Sequence, residues 1–381
     1  MDYQIIDVGT HATPPATMWQ ERYPKELRDQ APRRAWLRYE DDGEYEVLVL
    51  DGIAHRARGG SMGVPFADYE DPDGWGRTYE DGLAGNRDPL ARLDDMELDG
   101  VSAHVIVRND FPHLWPKDRR VWWGMIRAYN DWLIDFCSVA PDRLLGVGEL
   151  PCWDMDLMLD EVKKIKAGGL KAVQLPIAPG YVGDWSAPAD RNYTDPWWEP
   201  LWNVLDDLHL PIVSHVEALA ATPGMNGYLN GMASTVNMWT NKSVPSEMVS
   251  SLILCGAFER HPNLKLVLNE TGAGWLAPLI AWAELCIDQS HREKVYSPLG
   301  LSRRPKEYIN DHVIASFLWD TCAVKYRDDI GVDSLAWCSD YPENYGTFGK
   351  VKVQIDKDLA GTTDAERHTI LAGNAVRTFG L

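Results

Sequence analysis

Short apolar runs recur along the chain, each followed by Gly, Pro or polar residues and, in most cases, by an amphipathic stretch. That alternation is the pattern of βα units laid around a parallel sheet. Eight such runs can be counted: Gln4–Val8, Ala103–Val107, Leu144–Val147, Lys171–Leu175, Pro211–Ser214, Leu264–Leu268, Val313–Phe317 and Ser334–Cys338. Eight units predict an α/β chain closed into one (β/α)₈ TIM barrel across residues 1–381. Between the first and second runs, residues 12–88 form an interruption far longer than an ordinary βα loop. Within it, Arg38–Leu50 alternates about an Asp42-Gly43 pair, which predicts a β-hairpin. Because βα loops leave a barrel at its catalytic face, the insertion is expected to be a lid or cap over the active site, a solvated decoration being the other reading.

Composition narrows the partners. The 381 residues are 45% apolar and 25% charged, a globular balance. Lys and Arg number 37 against 57 Asp and Glu, a formal charge of −20. Such a field repels nucleic-acid backbones and anionic lipid, and an anionic small substrate would need a local basic patch. The longest apolar stretches, such as Ile253–Phe258 and Leu276–Ala283, fall short of the roughly 20 residues a membrane span requires. The start, Met1–Asp7, lacks the basic and apolar regions of a secretory signal, so the expected location is cytoplasmic. Six cysteines without a Cys-x-x-Cys pair fit reduced core thiols. Seventeen tryptophans are hard to bury fully, and some are expected to line a wide pocket. No P-loop, dinucleotide glycine motif or nucleophile elbow is present.

Chemistry is sought where the barrel strands end, because those ends share one mouth. The first run closes with Asp7-Val8-Gly9-Thr10-His11, the third with Glu149, the fifth with His215-Val216-Glu217, the sixth with Asn269-Glu270 and the eighth with Ser339-Asp340. Strand alternation puts Asp7, Gly9 and His11 on one face of their strand, and His215 likewise shares a face with Glu217, so one mouth could collect them all. Each has a plainer reading: Asp7 as a turn cap, Glu149 as an arginine partner, Glu217 as a solvated charge. Together they are costly to bury without a cation, which makes Asp7, His11, Glu149, His215, Glu217, Glu270 and Asp340 candidate metal ligands. Asp340, Glu217 and His104 are the candidates for proton transfer, with His104 and His113 second choices for the mouth. His55, His209, His261, His291, His312 and His368 read as loop or surface residues.

Once these ends are set side by side, the chain resembles the amidohydrolase-2 branch of the metal-dependent amidohydrolase superfamily. Ile6–His11 resembles that family's opening Asp-x-His-x-His, and Leu210–His215 its strand-five metal histidine. Asn269–Trp275 resembles the strand-six His-x-Gly-Gly region in a version carrying Glu. Cys338–Pro342 resembles the strand-eight Ser-Asp-Tyr-Pro, whose Asp binds metal or moves protons, and Ile370–Ala375 the closing Ile-Leu-x-x-Asn-Ala. Two positions depart: Gly9 stands where the first histidine is expected, and Glu270 where the strand-six histidine is expected.

The remaining inventory, two imidazoles and up to four carboxylates, favours iron or manganese over zinc, and such sets hold paired irons elsewhere. In this the chain is similar to a di-iron, non-haem monooxygenase subgroup of the barrel family that hydroxylates diterpenoids of the platensimycin and platencin class. The resemblance implies a pair of Fe ions (Zn or Mn otherwise), O₂ with an electron donor, and a bulky apolar acid, carried as a coenzyme A thioester. Arg56, Arg58, Arg303, Arg304, Lys306 and Trp275 are then candidates for holding the substrate, and a homo-oligomer is compatible. The alternatives are a metal-dependent hydrolase or non-oxidative decarboxylase of the same family, and a metal-free binding protein on the same barrel.

Overall fold

The computed structural model describes residues 3–15, 17–39, 43–56, 78–108, 118–177, 179, 191–215, 244–293, 300–343 and 346–381. Eight parallel strands lie in the order of the sequence: β1 (Ile6–Ala12), β5 (Ala103–Arg108), β6 (Leu144–Glu149), β7 (Ala172–Gln174), β8 (Ile212–His215), β9 (Leu266–Asn269), β10 (Val313–Phe317) and β11 (Leu335–Trp337). Each overlaps one of the eight runs read from the sequence. The ring is closed by backbone bonds just beyond β11, where His11 donates to the Tyr341 carbonyl at 2.7 Å and Asp340 to that of Gly9 at 3.0 Å. The fold is therefore the expected (β/α)₈ barrel.

Side-chain alternation divides the strands into two faces. Ile6, Val8, Val105, Val147, Val213, Val267, Ile314 and Ala336 point inward and fill the barrel. Ile106, Leu144, Val173, Ile212, Leu268, Phe317 and Trp337 point outward into the helix layer. Tyr3, before β1, and Ala372, Ala375 and Phe379 of the C-terminal segment join the inner cluster, which seals the amino end of the barrel. At the other end the inward positions turn polar: Glu149 follows Val147, His215 follows Val213, Asn269 follows Val267 and Ser316 follows Ile314. The mouth is thus the place where the same period-2 pattern exchanges apolar side chains for donors and acceptors.

β1 departs from simple alternation. Ile6 pairs with Ala103 and His11 with Val107, and the register shifts between Asp7 and Thr10. One extra residue on β1 reverses the facing of everything after it. The expectation that Asp7 and His11 share a face is therefore corrected: Asp7 pairs with His104 before the shift, and His11 lies after it. The Val8 carbonyl within the bulge is satisfied by the side-chain amide of Asn269, which reaches across from β9.

The insertion contains a three-stranded antiparallel sheet, β2 (Arg33–Tyr39), β3 (Gly43–Leu50) and β4 (Ile53–Arg56). β2 and β3 are the predicted hairpin. The third strand follows a second Asp-Gly pair: Leu50 pairs with Ile53, and Asp51 and Gly52 both have positive φ, 51° and 76°, as a two-residue hairpin turn requires. Met18, Trp19 and Tyr23 of the insertion are buried in the outer core with Val121, Met125 and Tyr129 of the helix Arg119–Ser138. Residues 57–77 of the expected lid lie outside the described residues. Among the described residues, no helix is long and apolar enough to cross a membrane, and all six cysteines are free.

Candidate functional site

Three side chains converge from β1, β8 and the residue after β9. Glu270 Oε1 is 2.9 Å from His11 Nε2, and Glu270 Oε2 is 2.9 Å from His215 Nε2. The two rings meet edge to face, 5.1 Å between centroids. Ligand atoms of these three residues lie within 4.8 Å of one another. Asp340 adds a fourth group, its Oδ1 3.4 Å from His11 Nε2. All four are buried or nearly so.

The backbone that presents the two carboxylates is unusual. Glu270 and Asp340 have φ of 56° and 62°, in the left-handed region that non-glycine residues avoid. Such conformations persist where the surroundings over-determine them. Here Glu270 donates its N–H to Ser316 Oγ at 2.8 Å, and Asp340 donates to the Gly9 carbonyl.

Electrostatics at the cluster are set by burial and by the charges facing each other. Burial would raise the Glu270 carboxyl, but His11 and His215 outweigh it and hold the group well below the usual carboxylate range. Burial and the neighbouring Glu270 push Asp340 well above its ordinary value. For His11, burial opposes the charged ring, yet Glu270 and Asp340 prevail and raise it.

These residues fit a divalent cation. His11 Nδ1 faces the Val107 carbonyl at 3.3 Å, and since a carbonyl only accepts, Nδ1 carries the hydrogen in that contact. Once Nε2 gives up its proton, its lone pair faces the oxygens of Glu270 and Asp340, so a cation can take the place of that proton between them. Asp340 Oδ1 is moreover buried without a hydrogen-bond partner. Two imidazoles and a carboxylate, with a second carboxylate alongside, suit manganese or zinc.

Gly9 explains how Glu270 can be there. A β-carbon built at position 9 would lie 3.0 Å from Glu270 Oε1 and 2.7 Å from the Cys338 β-carbon. The side chain missing from β1 and the carboxylate at the end of β9 therefore occupy one space.

The other expected site residues fall elsewhere. Asp7 is fully buried but accepts from the backbone N–H of Gly9 at 3.1 Å and of Ser339 at 2.9 Å, which ties β1 to the segment after β11. Burial pushes its carboxyl up to about 7 against those two bonds. Glu149 lies 3.3 Å from Arg108, and Asn130 brackets its backbone through two bonds. His104 is corrected as a mouth residue: it precedes the barrel's polar end and accepts at Nδ1 from Arg92 Nε at 3.1 Å, in the helix layer. Burial first, and Arg92 second, hold that ring neutral, well below its ordinary value. Glu217, His113 and Arg58 lie outside the described residues, and Arg56 is described only as part of β4.

Arg303 and Arg304 are not at the mouth either. Arg303 pairs with Asp311 and His312, and Arg304 with Glu284 and Asp288. Trp275 and Lys306 do line the cavity that opens from Glu270 and Asp340, a space of about 1140 Å³. With Asp320, Asp329, Glu270 and Asp340 in the same lining against one lysine, the described walls do not provide the basic patch a coenzyme A tail needs.

Arg92 escaped the sequence reading. On an amphipathic helix, Pro89–Asp99, it passes for a surface residue, yet it is fully buried. Its guanidinium donates to the His11 carbonyl at 2.7 Å, to Thr10 Oγ1 at 2.7 Å and to His104, and it stacks on the Tyr341 ring. It thereby fixes the strand end that carries His11.

A closed barrel with a buried histidine and carboxylate cluster at its mouth defines a metal-dependent hydrolase-like enzyme class. A family model described as Amidohydrolase (Amidohydro_2) matches residues 6–381, and the chain belongs to that family. It is similar to gamma-resorcylate decarboxylase of Rhizobium sp. (strain MTP-10005), 24% identical over 298 residues, which are 76% of this chain and 86% of the relative. Further curated relatives, at 22–25% identity, are decarboxylases too. Among solved structures, an amidohydrolase of Mycobacterium avium subsp. paratuberculosis superposes over all of both chains, with a TM-score of 0.75 and 18% identity. The 5-carboxyvanillate decarboxylase of Novosphingobium aromaticivorans, solved with manganese, matches 76% of this chain and 79% of its own, with a TM-score of 0.58 and 18% identity. The curated relatives are decarboxylases, which favours the decarboxylase alternative over the monooxygenase; neither paired iron nor oxygen chemistry finds support among them.

Proposed function

We propose that this chain is a divalent-cation-dependent, non-oxidative decarboxylase of a small aromatic carboxylic acid. The observation that carries the reading is the cluster of His11, His215 and Glu270, within 4.8 Å, with the Asp340 carboxylate beside it on the wall of the cavity. The decarboxylase relatives support the same choice. His11, His215 and Glu270 hold the cation, and the insertion at residues 12–88 serves as a lid. A bound cation supplies a positive charge that fixes the acid and stabilises the negative charge developing as CO₂ departs.

The chain's own residues do the rest. The apolar side of the cavity takes the ring of the acid. Asp340, whose carboxyl is pushed well above its ordinary value by burial and by Glu270, is the group placed to deliver a proton to the reacting carbon. As the bond between ring carbon and carboxylate breaks, its electron pair stays on the ring carbon, which takes the proton from Asp340 Oδ while CO₂ leaves. Solvent then returns a proton to Asp340.

The test is an assay of the manganese-loaded protein with 2,6-dihydroxybenzoate and 5-carboxyvanillate, recording CO₂ release and O₂ uptake together. Expected is CO₂ release without O₂ uptake, abolished by chelator, and lowered about 10²- to 10⁴-fold in Asp340→Asn. Two irons per chain with substrate-dependent O₂ uptake would overturn it.

A further inference from the structure

The cavity is larger than a one-ring acid needs, and its shape points to what fills it. Small-molecule sites usually occupy about 300–1,000 Å³; this one, about 1140 Å³, runs from Glu270 and Asp340 along the helices Leu276–Glu293 and Thr321–Lys325. Its side is aromatic and aliphatic, carried by Trp275, Ile280, Leu318, Trp319 and Tyr326.

Trp319 is the informative residue. It is 52% exposed, a large ring left facing open space. Its φ of 57° lies where a bulky side chain is a genuine outlier. The next residue holds it there. Asp320 Oδ2 accepts from the N–H groups of Ala273 and Gly274, both at 2.8 Å, and Oδ1 from those of Cys322 at 3.0 Å and Ala323 at 3.2 Å. One carboxylate thus binds the loops after β9 and β10 together. The glycines of the first loop permit the approach: a β-carbon at Gly274 would lie 2.5 Å from that of Cys322, and one at Gly272 would lie 3.0 Å from Asp320 Oδ2. Trp275 is fixed in the same assembly, its ring N–H donating to the Gly272 carbonyl at 3.0 Å. Strained backbone held by surrounding bonds is characteristic of ligand clamps, and fixed rings offer contact area at little cost in freedom.

We propose that Trp319 and Trp275 form a preset aromatic wall selecting an acid whose apolar body extends beyond one ring, with the carboxylate end at the His11, His215 and Glu270 cluster. This rests on the decarboxylase reading for the placement of the carboxylate. Binding and turnover are therefore measured separately. Calorimetry on the manganese-loaded chain compares 2-hydroxybenzoate with 1-hydroxy-2-naphthoate, in the native protein, in Trp319→Gly and in Trp319→Phe. Glycine suits the left-handed backbone, so the loop is retained while the ring is lost.

Expected is an affinity for the two-ring acid at least about tenfold higher, lost in Trp319→Gly and partly kept in Trp319→Phe. Equal affinities in the native chain, or equal weakening of both acids in Trp319→Gly, would overturn the aromatic wall even if CO₂ is released. The selective binding without CO₂ release would leave the wall standing and remove the decarboxylase reading instead.

Discussion

Two strand ends at the mouth carry glutamates that look alike in sequence and differ in what faces them. At the end of β6, Glu149 is 3.3 Å from the Arg108 guanidinium and its backbone is held by Asn130. After β9, Glu270 stands between two imidazoles, each oxygen 2.9 Å from an Nε2. A guanidinium is always charged and cannot ligate; Arg108 pulls the Glu149 carboxyl down, though burial outweighs it and leaves Oε1 without a hydrogen-bond partner. An imidazole can lose its proton and offer a lone pair, so the same carboxylate becomes part of a cation site. The strand end decides where a carboxylate lies; the partner decides what it does.

The sharpest way to break this comparison is to remove each carboxylate in turn. Glu270→Ala should lower manganese affinity by at least about a hundredfold, more than the 10- to 100-fold typical of groups that merely support a ligand. Glu149→Gln should leave manganese binding within about threefold, by the same reckoning of a group that supports no ligand. Metal content by mass spectrometry and affinity by calorimetry check both. If Glu149→Gln empties the site as Glu270→Ala does, the distinction between the two ends is wrong.

A smaller effect is expected from the space beside Glu270. Gly9→Ala puts a methyl 2.7 Å from the Cys338 β-carbon, where something must shift, and 3.0 Å from Glu270, which must give way slightly. Overpacking of this kind costs about 1–3 kcal/mol. Chemical denaturation should show that loss, and manganese affinity should fall with it. A variant that keeps both native stability and native affinity would show that Glu270 does not need the space.

The smallest effect extends the contrast to histidines. His312, like His104, has an arginine against its ring: it donates from Nδ1 to the Leu264 carbonyl at 2.8 Å, and its Nε2 lies 3.0 Å from Arg303. Burial brings it down to about 4 from the ordinary 6.5. The unfolded chain then binds the extra proton between those values, so stability is fully present above about pH 6.5 and declines toward pH 4. The loss should be on the order of 1–3 kcal/mol. Denaturation curves from pH 7 to 4.5 should show a shallower decline in His312→Gln, and an unchanged slope would remove His312 as its cause.

Much of this architecture could be read before any coordinates. Eight apolar runs became eight barrel strands, and three of the expected ligands, His11, His215 and Glu270, came together. What could not be read has a physical reason in each case. The shift in β1 is one residue long, and alternation is blind to it until a neighbouring strand sets the register. Arg108 and Glu149 are 41 residues apart, and no local pattern announces their pairing. Arg303 and Arg304 are ordinary basic residues until Asp311, Glu284 and Asp288 are seen to take them up. Gly9 read as a lost ligand; only the packing shows it as room made for Glu270.

The bulge in β1 also sets how this strand tolerates change in length. Between Ile6 and His11 the chain spends one residue more than the facing stretch from Ala103 to Val107. His11 reaches the cluster by virtue of that extra residue as much as by being a histidine. Deleting any single residue between Val8 and Thr10 would keep every ligand in the sequence yet turn the imidazole toward the helix layer, where Arg92 now waits on the His11 carbonyl. A scan of substitutions along this strand would weigh each side chain by its own contacts, His11 and Gly9 foremost, whereas a scan of deletions would find every position between Val8 and Thr10 equally indispensable.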